Sequence, residues 1–206
     1  MSGDVHVRFW EGPGVRLPRA TRLVMVFSQE ADARRVLEVL PKRFARYGLT
    51  IHPGKTRLVR FERPRTPARG EKDDRQREDP GSFDLLGFTH YWARSRRGYW
   101  VVKRKTAKSR FSRALKAIDR WCRQSRHWPV SEQHEMLSAK LRGHYDYYGV
   151  TANTPSLQRF LWYVERIWRR WLGRRSQRGY MSWRRFQQLK GTYPLPEPPS
   201  AWAAVR

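Results

Sequence analysis

Between Leu157 and Leu172, eight apolar residues recur at steps of three and one: Leu157, Phe160, Leu161, Val164, Ile167, Trp168, Trp171 and Leu172. Only a helix brings that set to one face. Asn153-Thr154-Pro155 supplies its start, because proline is tolerated in a first turn whose N–H groups have no intrahelical partner. A helix this one-sided needs its stripe covered. Two more segments offer matching stripes: Phe111, Ala114, Leu115, Ile118 and Cys122 in one, and Leu137, Leu141, Tyr145 and Tyr148 between Pro129 and Gly149 in the other. Ser182 is placed to cap a short helix over 183–190, and the proline-rich residues 194–199 read as extended. The second half of the chain is therefore expected to be a helical bundle.

The first half reads differently. Gly12, Pro13, Gly14 and Pro18 punctuate residues 1–22, which are expected to form a loose arm with no regular element. Leu23 to Phe27 is a short buried strand, with Ser28 as N-cap of a helix over 29–47. Ala33, Val36, Leu37, Leu40, Phe44 and Tyr47 form its stripe, Gly48 ends it, and Pro41 is expected to kink or split it. Leu49 to Ile51 and Arg57 to Phe61 are strand candidates around the turn His52-Pro-Gly-Lys55. Residues 63–79 hold no Leu, Ile or Val and read as a polar loop. Asp73-Asp74 lies in that loop, where a carboxylate pair lacks the rigid support a catalytic magnesium site needs. Phe83, Leu85, Leu86, Phe88 and Tyr91 crowd around Gly87 as a tight hairpin, and one more strand covers Gly98 to Lys103, with residues 103–106 leading into a helix. The expected class is α+β.

Charge narrows the function. The chain has 44 Lys and Arg against 18 Asp and Glu, a formal charge of +26, while 39% hydrophobic residues still allow a core. That excess calls for a polyanionic partner, and nucleic acid is the first candidate. A membrane-surface protein would concentrate its bases on one helix, and no 18-residue apolar run or signal-peptide core is present, so a cytoplasmic location and no membrane partner are expected. Cys122 is the only cysteine, and the six histidines lack metal-site spacing, so no metal site is assigned. From Arg94 to Arg126 there are 13 Lys or Arg against the single Asp119.

The candidate RNA-binding residues are Arg94, Arg96, Arg97, Lys103, Arg104, Lys105, Lys108, Arg110, Arg113 and Arg142, with Arg169, Arg170, Arg174 and Arg175 expected on the far side of their helix from Ile167 and Trp171. Such groups track phosphates without reading sequence, which suits structured RNA. Trp168, Trp171, Tyr145 and Tyr148 are expected in the core, whereas Tyr91, Trp92, Tyr99 and Trp100, bracketing the basic turn 94–97, are candidates for base stacking.

Six strings together carry a resemblance: residues 31–42, 47–49, 52–57, 83–92, 98–107 and Leu141-Arg-Gly-His-Tyr-Asp-Tyr-Tyr-Gly149. Over residues 23–199 the chain resembles the C-terminal part of a bacterial group II intron reverse transcriptase and maturase. The resemblance implies a distal palm fragment at 23–62, a polar loop at 63–81, a primer-grip hairpin at 82–102 with Phe83, Leu85, Leu86, Gly87 and Phe88 at its centre, a basic helical thumb or maturase domain at 103–190, and an extended tail at 191–206. It places Lys55 near an incoming nucleotide and makes group II intron RNA the partner, in splicing and intron mobility.

One departure limits what the resemblance implies. The family carries Tyr-Ala-Asp-Asp just before the strand that here starts at Leu23, and its magnesium chemistry needs those carboxylates. Here the positions hold Arg19, Ala20, Thr21 and Arg22, and an arginine offers a metal no lone pair. Residues 1–22 are thus a non-family arm, no cofactor is expected for this chain alone although the full-length family uses Mg²⁺, and polymerase activity is not expected. An open reading frame shortened or frame-shifted before residue 23 is the corresponding expectation. Two alternatives stay open: the thumb and primer-grip half of a split RNA-directed DNA polymerase, completed by a separate chain carrying fingers and aspartates, or a remnant that folds poorly because its sheet lacks partners.

Overall fold

In the computed structural model, which describes residues 6–11, 22–51, 56–64, 81–176 and 179–199, strands and one helix make up the first half and helices the second. The order is β1 (His6–Glu11), β2 (Arg22–Phe27), α1 (Glu30–Ala45), β3 (Arg57–Arg60), β4 (Ser82–Leu85), β5 (Phe88–Arg94), β6 (Trp100–Thr106), α2 (Lys108–Gln124), α3 (Val130–Tyr148), α4 (Thr154–Leu172) and α5 (Trp183–Thr192). The protein is mixed α+β. Its strands form two three-stranded sheets, ordered β2-β1-β3 and β4-β5-β6. Two compact units result: the described residues up to Phe83 with His90–Val102, and Asp84–Thr89 with the described residues from Lys103 onward.

In the first unit β1 is the central strand. It runs antiparallel to β2, from His6 opposite Phe27 to Glu11 opposite Arg22, and to β3, from His6 opposite Arg60 to Phe9 opposite Arg57. The expectation of no regular element in residues 1–22 is corrected. Val7, Phe9 and Trp10 favour a strand, and the ladder that fixes it comes from partners distant in sequence, which local punctuation cannot reveal.

Helix α1 begins after Gln29, not Ser28, and no side chain caps it. Glu30 and Asp32 in its first turn supply the favourable negative charge instead. It runs unbroken through Pro41, with half-buried Leu40 and Phe44 holding the last turns. Leu49 to Ile51 form no strand, because the Leu49 N–H is used to close the helix end on Phe44 O at 3.0 Å, past Gly48 at φ +69°. Phe61 and Phe83 are buried in an aromatic cluster: Phe83 meets Phe61 edge-on at 4.9 Å and stacks on His90 at 4.8 Å, while Phe61 stacks on Trp92 at 5.4 Å.

The second unit is held by the three expected stripes. Ile118 and Cys122 of α2, Leu137, Leu141 and Tyr145 of α3, and Leu157, Phe160, Val164, Trp168 and Leu172 of α4 form one core with Phe186 of α5 and Leu195 of the tail. Burying a large aliphatic or phenyl side chain contributes about 1.5–3 kcal/mol, so this cluster dominates the unit's stability. Two buried amides fix its joints. Gln133 accepts from Trp168 Nε1 at 3.0 Å and donates to Ser125 O at 2.9 Å and Trp128 O at 3.0 Å, tying α3 and α4 to the end of α2. Asn153 accepts from Thr106 N at 2.8 Å and donates to Thr106 Oγ1 at 2.9 Å and Tyr148 O at 2.8 Å, tying the end of β6 to the α3–α4 turn. Residues 103–106 lead into α2 as expected and also complete β6, whose last residue, Thr106, is held by Asn153 just before the helix begins. Ser182 caps α5 as expected, accepting from Arg185 N at 3.2 Å.

Candidate nucleic-acid interface

The tip of the β4–β5 hairpin is Leu86-Gly87, with φ of +50° and +84°. Two central residues with positive φ mark the turn whose twist matches flanking strands, and the first normally avoids a branched apolar side chain. Leu86 costs about 1–2 kcal/mol there. Its surroundings hold it in place: Tyr147 Oη donates to Leu86 O at 2.9 Å, and Ala107 N donates to Gly87 O at 2.9 Å. A side chain at Gly87 would begin 3.0 Å from the Tyr148 hydroxyl, so glycine is required by both space and backbone. Phe88 is buried between Tyr147, at 6.0 Å and nearly parallel, and Tyr148, at 5.2 Å and edge-on. The Leu86 side chain is left 62% exposed.

Cations gather beside this tip. Burial, and next the Tyr147 phenol, push the Tyr148 hydroxyl above its ordinary pKa, while Arg110 and Arg113 pull it back. Arg113 begins a row on α2 with Lys116, Arg120 and Arg123, all exposed and turned away from buried Ile118 and Cys122. The helix's one carboxylate, Asp119, stands to the side of that row, ion-paired with Arg170 and accepting from Trp171 Nε1 at 2.7 Å. Arg104, Lys105 and Lys108 are exposed and Lys103 half-buried around the β6–α2 junction, and Arg142 is exposed on α3.

The α4 arginines do not stand as expected. Arg170 and Arg174 lie over the Trp171 ring, at 5.5 and 5.4 Å, not on its far side. Arg169 donates to Met181 O at 2.6 Å and Arg175 to Trp128 O at 2.7 Å, and burial lowers the Arg175 pKa. The long arms of Arg169 and Arg175 fold back to satisfy carbonyls and Arg170 pairs with Asp119, so three of the four expected RNA ligands serve the fold. Trp92 is likewise taken up by Phe61. In the first unit Arg94 sits over the Trp100 ring at 4.9 Å and donates to Gly98 O at 3.2 Å, with Arg96, Arg97 and Tyr99 exposed in the same turn.

Of the expected primer-grip residues, Leu85, Leu86, Gly87 and Phe88 belong to the helical unit with Arg110 and Arg113, whereas Phe83 belongs to the other. Thr21 and Lys55 lie outside the described residues, and Arg22 opens β2 opposite Glu11. Among the described residues no three His, Cys, Asp or Glu side chains form a metal-holding group, and no helix is long and apolar enough to cross a membrane. Sequence reading placed Asn153 at the start of α4 but not its buried bonds to Thr106, since its side chain caps nothing; it missed Gln133, whose signal is only a polar residue on an apolar stripe, and Trp162, which spacing alone places opposite the α4 stripe. No family model, curated protein or solved structure matches the chain.

Proposed function

We propose that this protein binds structured RNA through its helical unit, in the manner of the maturase region of a group II intron reverse transcriptase, with group II intron RNA as partner and splicing or intron mobility as the setting. The observation that carries the reading is the polarity of α2: Arg113, Lys116, Arg120 and Arg123 face outward, and the helix's one acid, Asp119, is already paired at the surface with Arg170 and Trp171 of α4. A row of exposed cations on a rigid helix binds phosphates in register without reading bases. In this reading the helices 103–190 are the thumb, the Leu86-Gly87 turn with buried Phe88 is a primer-grip tip, the first unit is a palm remnant, and the protein works in the cytoplasm with its RNA.

Magnesium does not fit. By the resemblance, Arg22 takes a position where the family carries a carboxylate, and a guanidinium supplies charge of the wrong sign and no donor electron pair. Primer extension on an RNA template should therefore give no cDNA from this chain alone. The split-polymerase reading keeps one supporting observation: α1 buries only Ala33, and Val26 of β2 is 61% exposed, as for a surface that a second chain covers.

The experiment replaces Arg113, Lys116 and Arg120 together by Gln and measures affinity for a folded intron RNA between 50 and 200 mM salt, a range chosen because counterion release dominates there. Each lost phosphate contact should flatten the log–log slope by roughly 0.7–0.9, about 2–3 for the triple variant. The melting temperature should hold, since these side chains face away from the core. An unchanged slope overturns the assignment.

A further inference from the structure

Helix α4 carries a tryptophan on the wrong side. Its buried residues Leu157, Phe160, Val164, Trp168 and Leu172 define the core face, and at 100° per residue Trp162 and Arg166 project opposite to it. Trp162 is 49% exposed and Trp183, at the start of α5, 42%. Burial offers no reason for an indole there. The two rings bracket one cation: the Arg166 guanidinium lies 4.4 Å from the Trp162 centroid and 5.6 Å from that of Trp183. Beyond it Arg169 covers Trp183 at 4.3 Å while donating to Met181 O.

The two arginines differ in what they do. Arg169 secures the approach to α5, a structural duty. Arg166 makes no hydrogen bond or ion pair among the described residues, so its N–H groups remain available at the rim of the ladder. Tyr163 meets Trp162 edge-on at 4.8 Å and is itself backed by Phe111 at 6.1 Å, which fixes the indole's attitude. Around it Arg159, Arg184 and Arg185 are exposed, and the neighbouring carboxylate, Glu165, is paired to Lys190 at 2.7 Å. The rigid aromatic surface therefore lies in a positive field. An apolar protein surface gains nothing from those charges; a chain of planar bases joined by phosphates matches both features.

We propose that Trp162, steadied by Arg166 and Tyr163, is a stacking platform for an unpaired base of single-stranded RNA, with the flanking phosphates on Arg159, Arg166, Arg184 and Arg185. This rests on the RNA-binding reading and adds to it a foothold that depends on bases, away from the α2 row that depends on charge alone. Arg166 held between two rings is pre-oriented, so binding need not freeze a long side chain.

The test compares a uridine-rich single-stranded RNA with an abasic strand of equal length, using the full chain, Trp162→Ala and Trp162→Phe. The parent should prefer the strand with bases by on the order of tenfold. Trp162→Ala should lose that preference while keeping its affinity for the abasic strand and its melting temperature, and Trp162→Phe should keep most of it. Equal binding of both strands by the parent, or a preference that survives in Trp162→Ala, overturns the platform and leaves the electrostatic reading standing. Failure to bind either strand or folded RNA overturns both. A change of oligomeric state in Trp162→Ala with base preference intact assigns the tryptophan to a protein contact and overturns the platform as well.

Discussion

Helices α1 and α4 are of similar length, 16 and 19 residues, and both were recognisable from apolar spacing, yet they are held in opposite ways. α4 buries five side chains, one of them a tryptophan at 0% exposure, and is cross-linked by Gln133 to two other helices. α1 buries Ala33 alone, and Val39 on it and Tyr47 just past its end stand in solvent. An isolated helix of this length is marginal in water, so tertiary packing decides its stability. The contrast teaches that periodicity reports which face a helix can bury, whereas the amount buried depends on what the rest of the chain brings to that face. For α4 three helices and a tail arrive; for α1, among the described residues, strands β1 and β2 do.

The sharpest way to break this comparison is Trp168→Ala. It opens a cavity and leaves Gln133 Oε1 without its donor, so the helical unit should lose about 3–5 kcal/mol. Calorimetry should show that unit melting many degrees lower; a shift of a degree or two would mean that the core closes over the gap and is less rigid than described.

A middle-sized effect tests the same core by pH. The His144 ring stacks on Phe160 at 3.9 Å, its Nε2 is buried without a hydrogen bond, and burial lowers its pKa to about 4. The unfolded chain takes up a proton near pH 6.5 and the folded one resists until about 4, so stability is complete above 6.5 and falls between 6.5 and 4. The loss should be roughly 1–2 kcal/mol once partial exposure is discounted. In His144→Phe the melting temperature should lose this component of its pH dependence; an identical profile would place the titration elsewhere.

The smallest expected effect sharpens the other side. Val39→Ala and Tyr47→Ala on the α1 segment should each change stability by less than about 0.5 kcal/mol in the isolated protein, as for surface positions. A loss of more than about 1.5 kcal/mol would show that α1 is covered in solution, by a second copy or another chain.

What was legible follows the same division. The α2, α3 and α4 stripes and the Ser182 cap could be read because their signals are local: a helix's face and its first free N–H are set within a few residues. β1 was not legible, since a six-residue strand becomes one only when β2 and β3 supply its ladder. Ser28 looked like a cap because residue type was read without backbone angle. At the candidate interface the α2 cations were legible as exposed charge, but Arg169, Arg170 and Arg175 were not, because a wheel gives an arginine's direction and not its reach. The Leu86-Gly87 turn could be seen at Gly87; that a leucine would share its left-handed backbone could not, because the restraint comes from Tyr147 sixty-one residues away.

The tail offers a different kind of consequence. Pro194 and Pro196 lend only carbonyls to α3, accepting from His134 Nε2 at 2.8 Å and Tyr145 Oη at 3.2 Å, while Leu195 between them is buried. Because a carbonyl can only accept, His134 carries a proton on Nε2 in this contact. Proteases seize extended segments by pairing with their N–H groups, and this segment has prolines at 194, 196, 198 and 199. With Leu195 sunk in the core and four of the six amides of residues 194–199 lacking a hydrogen, it is extended yet offers a digestive enzyme almost nothing to hold.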